Sequence, residues 1–188
     1  MRSILVAAAM SLVCVFGVRA QQRDIDTQKS TLTIRVGKTG AFSAVGHEHE
    51  IHAPIHSGTA DTGAHPAVEI HVNAKELRVT DKDASEKERA EVQKTMLGPE
   101  VLDSEGHQEI VFKSTGAESV SQGRWTLHGN LTLREQTRPI TVQVTLKDGR
   151  YTGEAKVKQT DFGIKPPGKA GIRAKDEVRV EFDVRLAS

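Results

Sequence analysis

Cysteine is almost missing from this chain: of 188 residues only Cys14 carries a thiol, and it lies in an apolar leader. If that leader is removed, disulfides, cysteine-ligated zinc and thiol nucleophiles are all excluded. Aromatic residues are scarce, with five Phe, one Tyr and one Trp. An excess of one charge sign is also lacking, since 26 basic residues stand against 25 acidic ones. Loss of Arg2 and Arg19 with the leader leaves 24 against 25, so long-range attraction to nucleic acid or an anionic membrane is not expected. Beyond the leader no run approaches the roughly 20 apolar residues of a membrane-spanning helix. There is no Gly-x-Ser-x-Gly elbow, no internal repeat and no low-complexity tract.

What is present begins with the leader. Arg2 supplies a positive start, Ile4 to Val18 is uncharged and mostly apolar, and Val18-Arg19-Ala20 precedes polar Gln21-Gln22. That three-part layout predicts a secretory signal peptide over residues 1–20, with cleavage after Ala20 and a periplasmic or secreted destination. A lipoprotein signal would carry a small residue just before its cysteine; Val13 stands there instead. Residues 21–29 read as a polar leader and residues 30–188 as one β-domain, long enough for a sizeable core.

The body of the chain alternates. Thr31–Val36, Val68–Val72, Trp125–Leu133, Ile140–Leu146 and Val178–Leu186 each place apolar residues at every second position. Period-two patterning predicts strands with one buried and one wet face, whereas a parallel α/β sheet would show continuous apolar runs. Turn signals such as Asp148-Gly149 make the sheet antiparallel. One segment breaks the period: Ser85-x-x-Glu88 is a capping box and Gly98-Pro99 a stop. A surface helix between them is predicted over about 86–97, with Val92 and Met96 on one face, packed over an end or side of the sheet. Alternation alone leaves barrel and sandwich open. Gly153 and Ala155 are small on an inward face; they either leave room for a ligand or fit a crowded corner.

Chemistry-bearing residues concentrate in Gly46-His-Glu-His-Glu-Ile-His-Ala-Pro-Ile-His56. On a strand His47 and His49 share a face, so two imidazoles at this spacing can share a first-row metal. His52, His56, His65 and His107 are further ligand candidates. The alternatives are an ordinary polar rim and a pH-responsive element. The His-Glu-x-x-His zincin motif fails, because Ile51 and Ala53 stand where its second histidine would be and Pro54 opposes the required helix. Gly163-Ile-Lys-Pro-Pro-Gly-Lys169-Ala170 misses the phosphate-loop motif at its last position, and its prolines remove cradling N–H groups. His71 and His128 fall on polar strand faces, and Asn130-Leu-Thr132 is a glycosylation sequon relevant only to a eukaryotic source.

In order along the chain stand Phe42-Ser-Ala-Val-Gly46, then Arg89 and Met96 followed by Val101-Leu-Asp103, then Glu109-Ile-Val-Phe-Lys-Ser114. After these come Gly129-Asn-Leu-Thr-Leu133, Thr137-Arg-Pro-Ile-Thr-Val142, Thr160-Asp-Phe-Gly-Ile164 and Asp176-Glu-Val-Arg-Val180. This ordered set resembles the YceI family of periplasmic and secreted proteins. The resemblance implies an eight-stranded antiparallel lipocalin-like barrel with one helix, holding a long apolar molecule such as an isoprenoid, fatty acid or fatty amide, and no enzymatic activity. The chain departs from the family in its few aromatics and in the His-Glu run after Gly46. On this reading Val36, Phe42, Ile70, Phe112, Trp125 and Leu127 are the expected ligand lining, and no cofactor is required. The competing expectations are a metal protein using His47 and His49, and a ligand-free scaffold acting through its surface. A dimer is compatible with the family; the sequence does not specify one.

Overall fold

The alternating segments form long antiparallel strands in the computed structural model, which describes residues 22–41, 48–63, 65–169 and 171–188. In chain order they are β1 Gln22–Asp24, β2 Thr31–Val36, β3 Lys38–Thr39, β4 His49–Ala53, β5 Ile55–Asp61, β6 Ala67–Asn73 and β7 Arg78–Val79. Helix α1, Glu86–Leu97, follows. The second half holds β8 Glu109–Ser121, β9 Arg124–Leu133, β10 Gln136–Lys147, β11 Arg150–Lys158, β12 Gly168–Lys169, β13 Ile172–Ala174 and β14 Glu177–Val184. The expected signal peptide, Phe42 and His47 lie outside the described residues.

The main sheet has the order β1-β5-β6-β8-β9-β10-β11-β14-β2-β4-β7, and a small sheet has the order β12-β13-β3. The expected eight strands are therefore corrected to eleven in the main sheet. The excess has a physical source. Pro54 has no N–H to donate and divides one extended segment into β4 and β5. The two halves then pair in opposite directions around the sheet, β4 with β2 and β5 with β6. The chain through Pro54 thus ties one margin of the curled sheet to the other. The short strands β1 and β7 lie against the remaining edges of β5 and β4.

Hairpins set the register. Asp148 (φ 52°) and Gly149 (φ 73°) turn β10 into β11, pairing Lys147 with Arg150. Two consecutive left-handed residues match the twist of the flanking strands, and Asp-Gly supplies them. The β9–β10 turn has the same conformation at Arg134 (φ 51°) and Glu135 (φ 59°), where neither residue favours it.

Helix α1 starts as its sequence dictates. The Ser85 hydroxyl accepts from the Glu88 N–H, and the Glu88 carboxylate accepts from the Ser85 N–H at 2.8 Å. Helix positions Glu88, Glu91, Val92, Thr95 and Met96, together with Ala84 before the helix, form one face, and that face looks into the barrel. The helix and the segment after it lie across the end where β8 begins and β9 finishes; Arg134 of the β9–β10 turn donates to the Pro99 carbonyl there. Leu77, Met96, Val101, Leu102 and Phe162 are all buried at this end. A 3-10 turn, Gln159–Phe162, carries Phe162 inward and ends at Gly163 with φ 70°. Asp176 fixes that turn by accepting from both the backbone N–H and the hydroxyl of Thr160. Those bonds hold the Asp176 carboxyl below its ordinary pKa, with the Thr160 N–H the largest cause.

Candidate ligand cavity

The barrel interior is open. A cavity of about 1150 Å³ runs through it, lined from every long strand and from one face of α1. The alternation explains the lining. On β2 the inward residues are Leu32, Ile34 and Val36; on β14 they are Val178, Val180, Phe182 and Val184. Many of these side chains are only half-buried although they point inward, because they face open space in place of a packed neighbour. On the outside, Val120 is the sole large hydrophobic residue exposed among the described residues.

Of the expected lining residues, Val36, Ile70, Phe112, Trp125 and Leu127 all face this cavity. Phe112 and Trp125 lie toward its middle and far end: Phe112 pairs with Leu131, and Trp125 pairs with buried Val144. Sequence reasoning did not single out Phe182, Tyr151 or Ile172, and it named Val92 and Met96 as a helix face without placing them on a cavity. The alternation of Val178–Leu186 carried the signal for Phe182. Nothing local marked Ile172, which lines the cavity from the small sheet.

Two inward glycines shape the wall. A Cβ at Gly129 would meet the Phe112 ring at 2.5 Å, so the glycine makes the place where that ring lies. A Cβ at Gly153 would collide with the Gln143 carbonyl oxygen and meet Phe182 at 2.8 Å. The crowded-corner reading therefore applies to Gly153. Ala155, two residues on, does line the cavity, beside Val142 and Val144.

Polar lining residues stand at both ends, with Asp61 and Thr62 where β5 finishes and a larger group at the α1 end. His49, Lys38 and Arg173 come from β4, β3 and β13, while Glu88, Glu91 and Glu100 come from the helix side. His49 is inward, as Ile51 and Ala53 are, and its Nδ1 lies 2.6 Å from Oδ2 of Asp81. Asp81 is 4% exposed, and its other oxygen accepts the Glu50 N–H. Among the described residues no three His, Cys, Asp or Glu side chains converge in a metal-binding arrangement, and the second expected ligand, His47, lies outside them. His52 faces outward on β4, in register with Arg78 of β7.

Three other histidines, His71, His107 and His128, lie beside carboxylates. His71 sits between Glu109 (2.9 Å from Nδ1) and Glu69 (3.0 Å from Nε2). Glu109 first, and Glu69 with it, raise the His71 pKa above the usual value near 6.5. His128 lies 3.3 Å from Glu118, and His107 lies between Asp103 and Glu135.

A model of the YceI-like domain matches residues 24–186. The chain belongs to the YceI-like family. Curated relatives of this YceI-like chain include a UPF0312 protein of Shewanella oneidensis, 26% identical over 167 residues, covering 82% of this chain and 83% of the relative. A UPF0312 protein of Shewanella putrefaciens is 25% identical over 168 residues, covering 83% of each. Among solved structures, BcnA of Burkholderia cenocepacia superposes with a TM-score of 0.69 at 16% identity, over 87% of this chain and 99% of that one. The YceI protein of Campylobacter jejuni superposes with a TM-score of 0.51 at 10% identity, over 72% of this chain and 84% of that one. At these identities the two structures speak to the shared YceI-like fold alone. No helix among the described residues is long and apolar enough to cross a membrane.

Proposed function

We propose that this YceI-like barrel is a carrier and not an enzyme, holding one long apolar molecule, such as an isoprenoid, fatty acid or fatty amide, in the periplasm or outside the cell. The observation that carries the proposal is the cavity itself, about 1150 Å³ and walled by inward aliphatic side chains that remain half-buried. Ligand cavities for small molecules run to about 1,000 Å³, so this one takes a ligand of lipid size. A molecule burying about 400 Å² of apolar surface there gains on the order of 10 kcal/mol before ordering costs, which is enough for binding without any reactive group. The apolar leader over residues 1–20 supports an extracytoplasmic site of action.

Neither alternative gains an observation. The metal reading needs converging ligands, and the Nδ1 atom of His49 is committed to Asp81. The surface-scaffold reading needs a contiguous apolar patch, and among the described residues Val120 stands alone.

Trp125 provides the test, because it is the single tryptophan and lines the cavity. Titration of the delipidated chain with a bromine-labelled fatty chain should quench Trp125 emission in a saturable, one-to-one manner. Emission that does not respond to any apolar chain would rule out the carrier reading.

A further inference from the structure

We propose that His49 and Asp81 form a polar anchor at the α1 end of the cavity that selects amphipaths with a carboxylic acid head over chain-matched methyl esters. The proposal rests on the carrier reading and goes further by assigning the ligand's head group and its orientation.

The anchor is built from both sides. Strand pairing of His49 with Val36 fixes the β4 backbone and points the imidazole inward. Asp81 follows β7 and is held by main chain: the Thr80 N–H donates to the Glu50 carbonyl, the Glu50 N–H donates to Asp81 Oδ1, and Arg89 of α1 donates to the Asp81 carbonyl. An ionised Asp81 accepts on both oxygens, so the ring donates to it through Nδ1. Nε2 is then the free end of a rigidly held imidazole, with no hydrogen-bond partner among the described residues, in a cavity that is otherwise mostly hydrocarbon.

A carboxylic acid is the head group suited to that atom. The acid donates its O–H to a neutral Nε2, and the carboxylate accepts from a protonated one; either way one proton is shared and Asp81 supports the ring. A methyl ester has no proton to give. The surroundings agree in sign on the strand side, where Lys38 and Arg173 line the same end. Apart from Asp81 behind the ring, the acidic residues of this end, Glu88, Glu91 and Glu100, come from the helix side, and Glu88 is engaged in the Ser85 cap. A head at His49 leaves the tail to run past Val36 and Phe112 toward Trp125 and Leu146 at the far end.

The experiment compares dodecanoic acid with methyl dodecanoate on the delipidated chain, read by Trp125 emission. The acid is expected to bind about ten- to a hundredfold more tightly, the range of one hydrogen bond to a charged group. His49→Leu should lower acid affinity to that of the ester and leave the ester unchanged. The imidazole Nε2 resonance of His49 in the native chain should shift with the acid and not with the ester, which decides the matter even if the variant does not fold. Equal affinity of the native chain for acid and ester would overturn the anchor and leave the carrier reading standing. A retained preference in folded His49→Leu would overturn it too. Binding of neither probe would overturn the anchor together with the carrier reading.

Discussion

Replacing Ala155 with leucine separates an open interior from a packed one. Ala155 stands on β11 between Val142 of β10 and Val180 of β14, and it lines the cavity. A leucine there adds three carbons directed into the space a ligand would fill. If each displaced ligand methylene is worth about 0.8 kcal/mol, exclusion of about three costs roughly 2.4 kcal/mol, or about sixtyfold in affinity. The apo-protein should lose nothing, because the new methyls cover apolar wall that is otherwise uncovered. Long-chain affinity by Trp125 emission and apo-stability by urea denaturation, measured on the same variant, give both numbers. A packed core predicts the reverse: overpacking destabilises by about 1–3 kcal/mol and ligand affinity has no reason to fall selectively for long chains. A loss of that size in the unfolding free energy of the apo-protein from urea denaturation, without an affinity change, would refute the reasoning.

Other predictions follow from single contacts. Gly153→Ala, whose Cβ would meet the Gln143 carbonyl oxygen, should destabilise by about 1–3 kcal/mol in urea, in contrast to the change at Ala155; a neutral result would show that β10 and β11 separate easily. Glu135→Gly relieves a left-handed residue at φ 59° and should raise stability by about 1 kcal/mol, checked by thermal denaturation. His71 should titrate above 6.5 by NMR, because Glu109 and Glu69 favour its charged form. Its contribution to stability is then complete below the unfolded-state value near 6.5 and is lost as pH rises through the raised folded-state value, so His71→Gln should abolish that part of the pH slope. Expressed in full in a Gram-negative host, the chain should be recovered from the periplasm beginning at Gln21; an intact N-terminus in the cytoplasm would contradict the secretory reading.

Much of the architecture was legible because alternation is a local signal with a global meaning. Val178–Leu186 and Trp125–Leu133 declare their inward faces residue by residue, and Ser85 with Glu88 declares the start of α1. The strand count was not legible, since it depends on how the segment around Pro54 divides its pairing between β2 and β6. The β9–β10 turn was equally hidden, because Arg134 and Glu135 adopt a conformation that neither residue type advertises. For the site, five of the six expected lining residues face the cavity, and Phe42 lies outside the described residues. The role of His49 could not be read from its neighbours in sequence. Its partner Asp81 is 32 residues away, brought close only by the β4–β7 pairing.

The most direct test of the account is to express the full chain in a Gram-negative host, purify it without detergent, extract it with organic solvent and identify the extract by mass spectrometry. The account predicts a stoichiometric acyl or isoprenoid species of lipid size. A chain that yields no such molecule, and that binds none when offered fatty acids and isoprenoids in turn, would contradict it.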